Sequence, residues 1–365
     1  MGFKMSSLRS IAFYLPQFHP ISENNEWWGI GFTEWTNVSK SEPSFRRHYQ
    51  PHLPADLGFY DLRLPEVRSA QAELAQQYGI DGFCYYHYWF GGRRLLERPF
   101  NEVLNSGEPD FPFCLCWANE SWSRRWLGEE RDVLMPQAYS EEDDRNHAQW
   151  LMAAFADERY IRVGDRPLFL VYRPKDLPQP TRFVDTLCHA AAEAGIPSPF
   201  LVGVDAHSPG FDFRNIGFDS TLGFEPQLGA SGSGVFNEKA TLAKLLRNFQ
   251  LGIRDPRLQV FNDAECRAAM TKIRRPDNAI PCCYVAWDNS PRRGRNGIVY
   301  INGSPETFGQ ALNEHFETAT ALPANQQFLF VNAWNEWAEG NHLEPDQKYG
   351  HQYLEQVRSV VKGVL

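Results

Sequence analysis

Near the C-terminal end of the sequence an apolar run, Phe328 to Val331, turns abruptly into Asn332-Ala333-Trp334-Asn335-Glu336-Trp337-Ala338-Glu339-Gly340. If Gly340 closes a helical turn, Glu336 and Glu339 project to one side, with Cβ atoms about 5–6 Å apart. Such a pair suits acid/base work at one bond. Cleaving a glycosidic linkage needs one carboxyl protonated and another ionised at the same pH. Two nearby carboxylates repel, so one pKa rises while the other falls, and the proton belongs to the pair. Trp334 and Trp337 add desolvation that favours the neutral form of one acid. Indole faces also take the C–H side of a sugar, while Asn335 and a carboxylate take its hydroxyls. The competing reading is a surface turn with solvated glutamates.

Further polar and aromatic residues stand where apolar runs end. Tyr14 closes the first run, and Gln17, His19, Trp28, Glu34, Trp35 and His52 follow it. Tyr86, His87 and Trp89 end the second, and Trp117 the third, with Asn119, Glu120 and Trp122 just beyond. Asp205, Glu225 and Trp287 mark the ends of the fifth, sixth and seventh. All of these are candidates to bind substrate. Asn119-Glu120 resembles the acid/base site of a large clan of retaining glycosidases, but the preferred reading has Glu120 binding only a hydroxyl or an arginine such as Arg125. Glu225 would hold a hydroxyl or pair with a cation. The basic segments Ser123–Trp126 and Arg292–Arg295 would hold a phosphate or carboxylate, with a solvated loop preferred.

The elements that must position these residues alternate along the whole chain. Strands are expected at Ser10–Leu15, Ile80–Tyr86, Pro112–Trp117, Leu168–Tyr172, Phe200–Val204, Asp219–Phe224, Pro281–Trp287 and Phe328–Trp334. Helices are expected at Leu64–Tyr78, Arg93–Asn105, Ser140–Phe155, Thr181–Ala194, Lys239–Asn248, Ser304–Ala321 and Tyr349–Lys362. Eight strands alternating with helices predict an α/β chain folded as one (β/α)8 TIM barrel over residues 1–365, a single catalytic domain. A barrel gathers polar residues after many strands at one mouth, whereas an open sheet collects only those near a switch point. No G-x-G-x-x-G follows the first strand, so a dinucleotide fold lacks its fingerprint.

A net charge of −9 over 365 residues argues against a nucleic-acid partner, which needs a basic face. Seven cysteines are an odd number for a disulfide framework, and five fall in apolar runs where thiols act as small hydrophobes. Reduced thiols and a cytoplasmic setting are expected, with no signal peptide and no transmembrane segment. Neither His-Glu-x-x-His nor a two-Asp spacing is present, nor a serine elbow, so no metal and no cofactor is expected.

Several motifs carry a resemblance. Phe13-Tyr14-Leu15-Pro16-Gln17-Phe18-His19-Pro20, Trp27-Trp28-Gly29, Gly31-Phe32-Thr33-Glu34-Trp35-Thr36-Asn37, His48-Tyr49-Gln50-Pro51-His52, Gly82 to Trp89, Cys116 to Glu120 and Asn335 to Gly340 resemble the WbsX family. That family is named a glycosyltransferase because its members are encoded in O-antigen and capsule gene clusters. It is similar to glycoside hydrolase family 99, the endo-α-mannosidases and endo-mannanases, which are (β/α)8 barrels. The family 99 motif Asn-Glu-Trp-x-Glu-Gly falls on Asn335, Glu336, Trp337, Glu339 and Gly340. The resemblance implies that Glu336 draws the proton from the substrate's 2-hydroxyl, which attacks C1 to give a 1,2-anhydro sugar. Glu339 would protonate the leaving oxygen and then activate water. An oligosaccharide or polysaccharide of the O-antigen or capsule type is the expected partner, with peripheral contact to a lipid-linked glycan. A nucleotide-sugar glycosyltransferase and a non-catalytic carbohydrate-binding barrel are the alternatives.

Overall fold

The computed structural model describes residues 8–124, 129–227, 242–253, 255 and 257–363. Eight parallel strands form its centre: β1 Arg9–Tyr14, β2 Gly82–Phe90, β3 Phe113–Trp117, β4 Arg166–Val171, β5 Phe200–Val204, β6 Ser220–Gly223, β7 Ile280–Tyr284 and β8 Phe328–Asn332. Each pairs with its sequence neighbour, and β1 pairs with both β2 and β8, so the sheet closes into a barrel. The closing register sets Arg9 opposite Phe328 and Ile11 opposite Gly82. Strands β3, β5, β7 and β8 are buried along their whole length. That explains why they read as continuous apolar runs rather than alternating ones.

Helices cover the outside, starting and stopping where their caps dictate. Pro65–Gln77 begins with proline at its first turn. Glu141–Phe155 is capped by Ser140, whose hydroxyl accepts the Asp143 N–H at 3.0 Å. Ser304 and Thr307 form a reciprocal capping box ahead of Pro305–Thr320. The chain departs from expectation in several places. β2 runs on to Phe90 and folds back against Arg93–Leu95, so the expected Arg93 helix starts only at Arg98. The turn uses Gly91 and Gly92, both at positive φ. The helix expected from Lys239 spans Leu242–Leu251, and Lys239 itself lies outside the described residues. The segment before β7 contributes Gln259–Asn262, which pairs with Ile298–Ile301 to form a small outlying sheet.

Candidate active site

The two glutamates ride on a clipped turn beyond β8. Asn335–Glu336 pairs antiparallel with Asn341–His342. Between them Trp337–Glu339 forms a 3-10 turn, not a full helical one. Gly340 closes it at φ 58°. A side chain there would be strained, and its Cβ would also meet Asp288 at 3.1 Å. The Glu339 carbonyl accepts the Asp288 N–H at 2.7 Å. Asn335 does not face the cavity. Its amide accepts from Leu15 N at 2.7 Å and donates to Leu15 O at 3.0 Å, so it fastens the turn to the end of β1.

Arg292 joins three carboxylates. It sits on the short helix Ser290–Arg293 that follows β7. Its Nη2 lies 2.5 Å from Glu336 and 2.5 Å from Glu34, and its Nη1 lies 2.7 Å from Glu339. Glu34 is fully buried and also accepts from the Gln17 amide at 3.1 Å. A solvated loop was expected at Arg292; the carboxylates in the segments that follow β1 and β8 draw it inside instead. Burial pushes the Glu339 carboxyl up to about 7, with Arg292 opposing and Glu336 adding to the rise. Burial also raises Glu34, against the pull of Arg292. For Arg292 burial acts the other way, but the three carboxylates outweigh it and hold the guanidinium charged. The cluster therefore keeps a proton on an acid near neutral pH beside a fixed cation, a combination suited to general acid catalysis.

Arg292, Glu336 and Glu339 form one wall of a cavity of about 310 Å³ at the C-terminal mouth of the barrel, with Glu34 buried behind them. Gln17, Trp28, Tyr86, Glu120, Trp122 and Trp287 line it beside Glu336 and Glu339. Of the candidate indoles, Trp28, Trp122 and Trp287 thus reach the pocket. The Trp287 Nε1–H meets no protein acceptor among the described residues. Glu120 pairs with Arg173 at 2.5 Å and lies 3.6 Å from His207. It does bind an arginine; the expected Arg125 lies outside the described residues.

The other sequence candidates are elsewhere, each for a physical reason. Strand alternation sends Tyr86 and Tyr88 to the cavity and His87 and Trp89 to the opposite face. There His87 stacks on Trp150 at 4.7 Å and Trp89 on His147 at 4.7 Å. Trp117 joins that layer edge-on to His147. Trp334 is fully buried, 5.1 Å from Phe83. Tyr14 donates to Gln71 on the outer helix at 2.6 Å, and Trp35 donates to the Tyr60 carbonyl at 2.8 Å. Asn119 clips its loop to the backbone of Arg173. Asp205 accepts the Gly210 N–H at 2.8 Å, and burial raises it to about 6. Buried His19 is bonded to the Pro16 carbonyl. Glu225 pairs with Arg275 at 2.7 Å and His315 at 3.3 Å, the cation reading of the two held open. His52 faces His342 at 3.0 Å.

Sequence reasoning missed Arg292, Tyr88, Tyr172 and His207 as lining residues. Tyr88 was within reach, two positions on from Tyr86 on the same strand face.

The family model for glycosyltransferase WbsX matches residues 10–357. The chain belongs to the glycosyltransferase WbsX family. It is 42% identical over 355 residues to the uncharacterized protein WxcX of Xanthomonas campestris pv. campestris, strain ATCC 33913. The alignment takes in 96% of this chain but 49% of that protein, so the chain spans about half the length of the curated relatives it matches. Among solved structures, the GH99 endo-alpha-mannosidase from Bacteroides thetaiotaomicron, in complex with bis-tris propane, superposes with TM-score 0.55 at 14% identity. That superposition covers 99% of this chain and 98% of the other. A glycoside hydrolase-like protein gives TM-score 0.59 at 13% identity, covering 98% and 95%. At these identities the likeness shows that the WbsX chain shares their barrel fold.

Proposed function

We propose that the chain is a carbohydrate-active enzyme: a retaining glycoside hydrolase or transglycosidase acting on bacterial O-antigen or capsule glycans, or on their lipid-linked precursors. The observation that carries this reading is the pair Glu336 and Glu339, bridged by Arg292, on the wall of an indole-lined cavity. Glu336 takes the proton of the substrate's 2-hydroxyl. O2 then attacks C1 as the glycosidic C–O bond breaks, and the Glu339 proton goes to the departing oxygen. The product is a 1,2-anhydro sugar. Glu339, now a carboxylate, takes a proton from an incoming hydroxyl, which attacks C1, while Glu336 returns its proton to O2. Two inversions give overall retention. If the incoming hydroxyl belongs to water the reaction is hydrolysis; if it belongs to a sugar it is transfer, the outcome the family's name favours. Trp28, Trp122 and Trp287 stack on sugar faces, and Gln17, Tyr86 and Glu120 take hydroxyls.

All seven cysteines are free thiols, which supports a cytoplasmic setting. Among the described residues no helix is long and apolar enough to cross a membrane.

The test pairs two substitutions with two leaving groups. Glu339→Gln removes the proton donor, so an activated aryl glycoside should still turn over while the native linkage does not. Glu336→Gln should abolish turnover of both. Normal cleavage of a 2-deoxy substrate would refute attack by O2. If turnover is unchanged by both substitutions, the assignment to Glu336 and Glu339 fails; if the wild type neither hydrolyses nor transfers any glycan, the enzyme reading fails.

A further inference from the structure

Behind the catalytic turn lies a cluster that the reaction does not use. His52, His342 and Asp346 each bring one ligand atom within 4.8 Å of the others. His342 and Asp346 are buried, and His52 is half-buried. The two imidazoles meet at 3.0 Å, Nδ1 of His52 to Nε2 of His342. His342 Nδ1 donates to the Glu344 carbonyl at 3.0 Å, which leaves its Nε2 with a lone pair. Asp346 is oriented by its own loop, with one oxygen accepting Lys348 N at 2.9 Å and Tyr349 N at 2.6 Å. The nearby Lys348 ammonium rests over the rings of Tyr49 (4.5 Å) and Tyr349 (4.3 Å).

We propose that His52, His342 and Asp346 form a binding site for a divalent transition-metal ion, with Zn2+ the best chemical match. Two imidazoles and a carboxylate are a ligand set of the right softness. Nitrogens each about 2.1 Å from one ion stand roughly 3.0–3.4 Å apart, for angles from square to tetrahedral. The observed nitrogen separation therefore needs a small opening at most, and the Asp346 oxygen, within 4.8 Å, closes onto the ion. Binding requires the His52 proton to move from Nδ1 to Nε2, so that both facing nitrogens present lone pairs; neither ring changes charge. Burial, with His342 beside it, pushes His52 down to about 3, and burial lowers His342 too, so both rings are held in the neutral form that ligates. The bonding carbonyl on His342 is the usual outer partner of a metal-bound histidine.

The location gives the ion a task. His342 pairs with Asn335 in the strand that carries Glu336, and it stacks on Trp337 at 3.8 Å. His52 belongs to the loop that also supplies His48 and Gln50 to Asp288. An ion between them would tie that loop to the catalytic turn, as a structural and not a catalytic centre. No local spacing announces it, because His52 and His342 are 290 positions apart.

The test uses the full chain, stripped with EDTA and titrated with Co2+, then with Zn2+ in competition. The wild type should show ligand-field absorption saturating at one equivalent, and Zn2+ should abolish it and raise the melting temperature. His52→Ala, on the half-buried ligand, should weaken binding by at least about tenfold. Asp346→Asn should do the same if it folds. Glu336→Gln should bind as the wild type, which separates this proposal from the catalytic reading. Failure of the wild type to take up one equivalent, or uptake unchanged in His52→Ala, would show that the imidazoles share only an N–H···N bond.

Discussion

Replacing Arg292 by Gln removes the charge that bridges three acids while keeping a planar amide in the space. The guanidinium nitrogens stand 2.5–2.7 Å from Glu34, Glu336 and Glu339, which puts the charge centres about 4 Å apart. At an effective dielectric constant near 20, one such pair is worth roughly 4 kcal/mol, or about three pH units. Sharing among three carboxylates and water penetration reduce that figure, so the Glu339 carboxyl should move up from about 7 by about 1–2 units. Infrared titration of the protonated carboxyl band reads this without any substrate, and its absence in Glu339→Gln assigns the band. A kcat/KM profile on a glycan substrate should show its basic limb displaced by the same amount. Arg292→Lys, which keeps the charge, should restore most of the original midpoint. Uncompensated burial should also cost about 3–5 kcal/mol of stability in Arg292→Gln, measurable by urea unfolding. A folded Arg292→Gln protein whose carboxyl titrates where the wild type's does would refute the electrostatic account of this site.

Trp28→Ala should weaken binding of a glycan by about 1 kcal/mol, roughly fivefold in Kd, by calorimetry, because it removes one stacking face from the cavity. Trp334→Ala should instead cost about 3–5 kcal/mol in urea unfolding, since that indole is core and not platform. Burial pushes Glu225 up, but His315 and Arg275 overcome it and hold it at about 2, below its ordinary 4.5. That stability is present above 4.5 and lost as pH falls from there through about 2. Glu225→Gln should therefore flatten the melting temperature across that acid window, and an unchanged slope would count against the pairing.

The architecture was legible because buried parallel strands are written as unbroken apolar runs, and eight of them can be counted. Their ends were less so. β7 was expected to reach Trp287, but the backbone leaves the ladder at Tyr284 while the composition stays apolar. In the run Tyr85-Tyr86-His87-Tyr88-Trp89 the side chains must alternate, but nothing in it says which set faces inward. Phe13, stacked on Tyr86 at 5.3 Å inside the barrel, decides it only in three dimensions. The Glu336–Glu339 spacing showed that two acids would converge. That an arginine 44 positions earlier than Glu336 would join them could not be read, since no local pattern separates a buried Arg292 from a solvated one.

The seam of the barrel lies between β1 and β8, and the carboxylate trio straddles it. Glu34 comes from the first strand's loop, and its partners from the loops of the last two. During synthesis a ribosome must therefore pass Gly340 before any nascent chain can carry the assembled site. The same arrangement makes the protein a natural split reporter. A cut between β4 and β5 leaves one half with Glu34 and the other with Arg292, Glu336 and Glu339, so catalysis would appear only when the halves find each other.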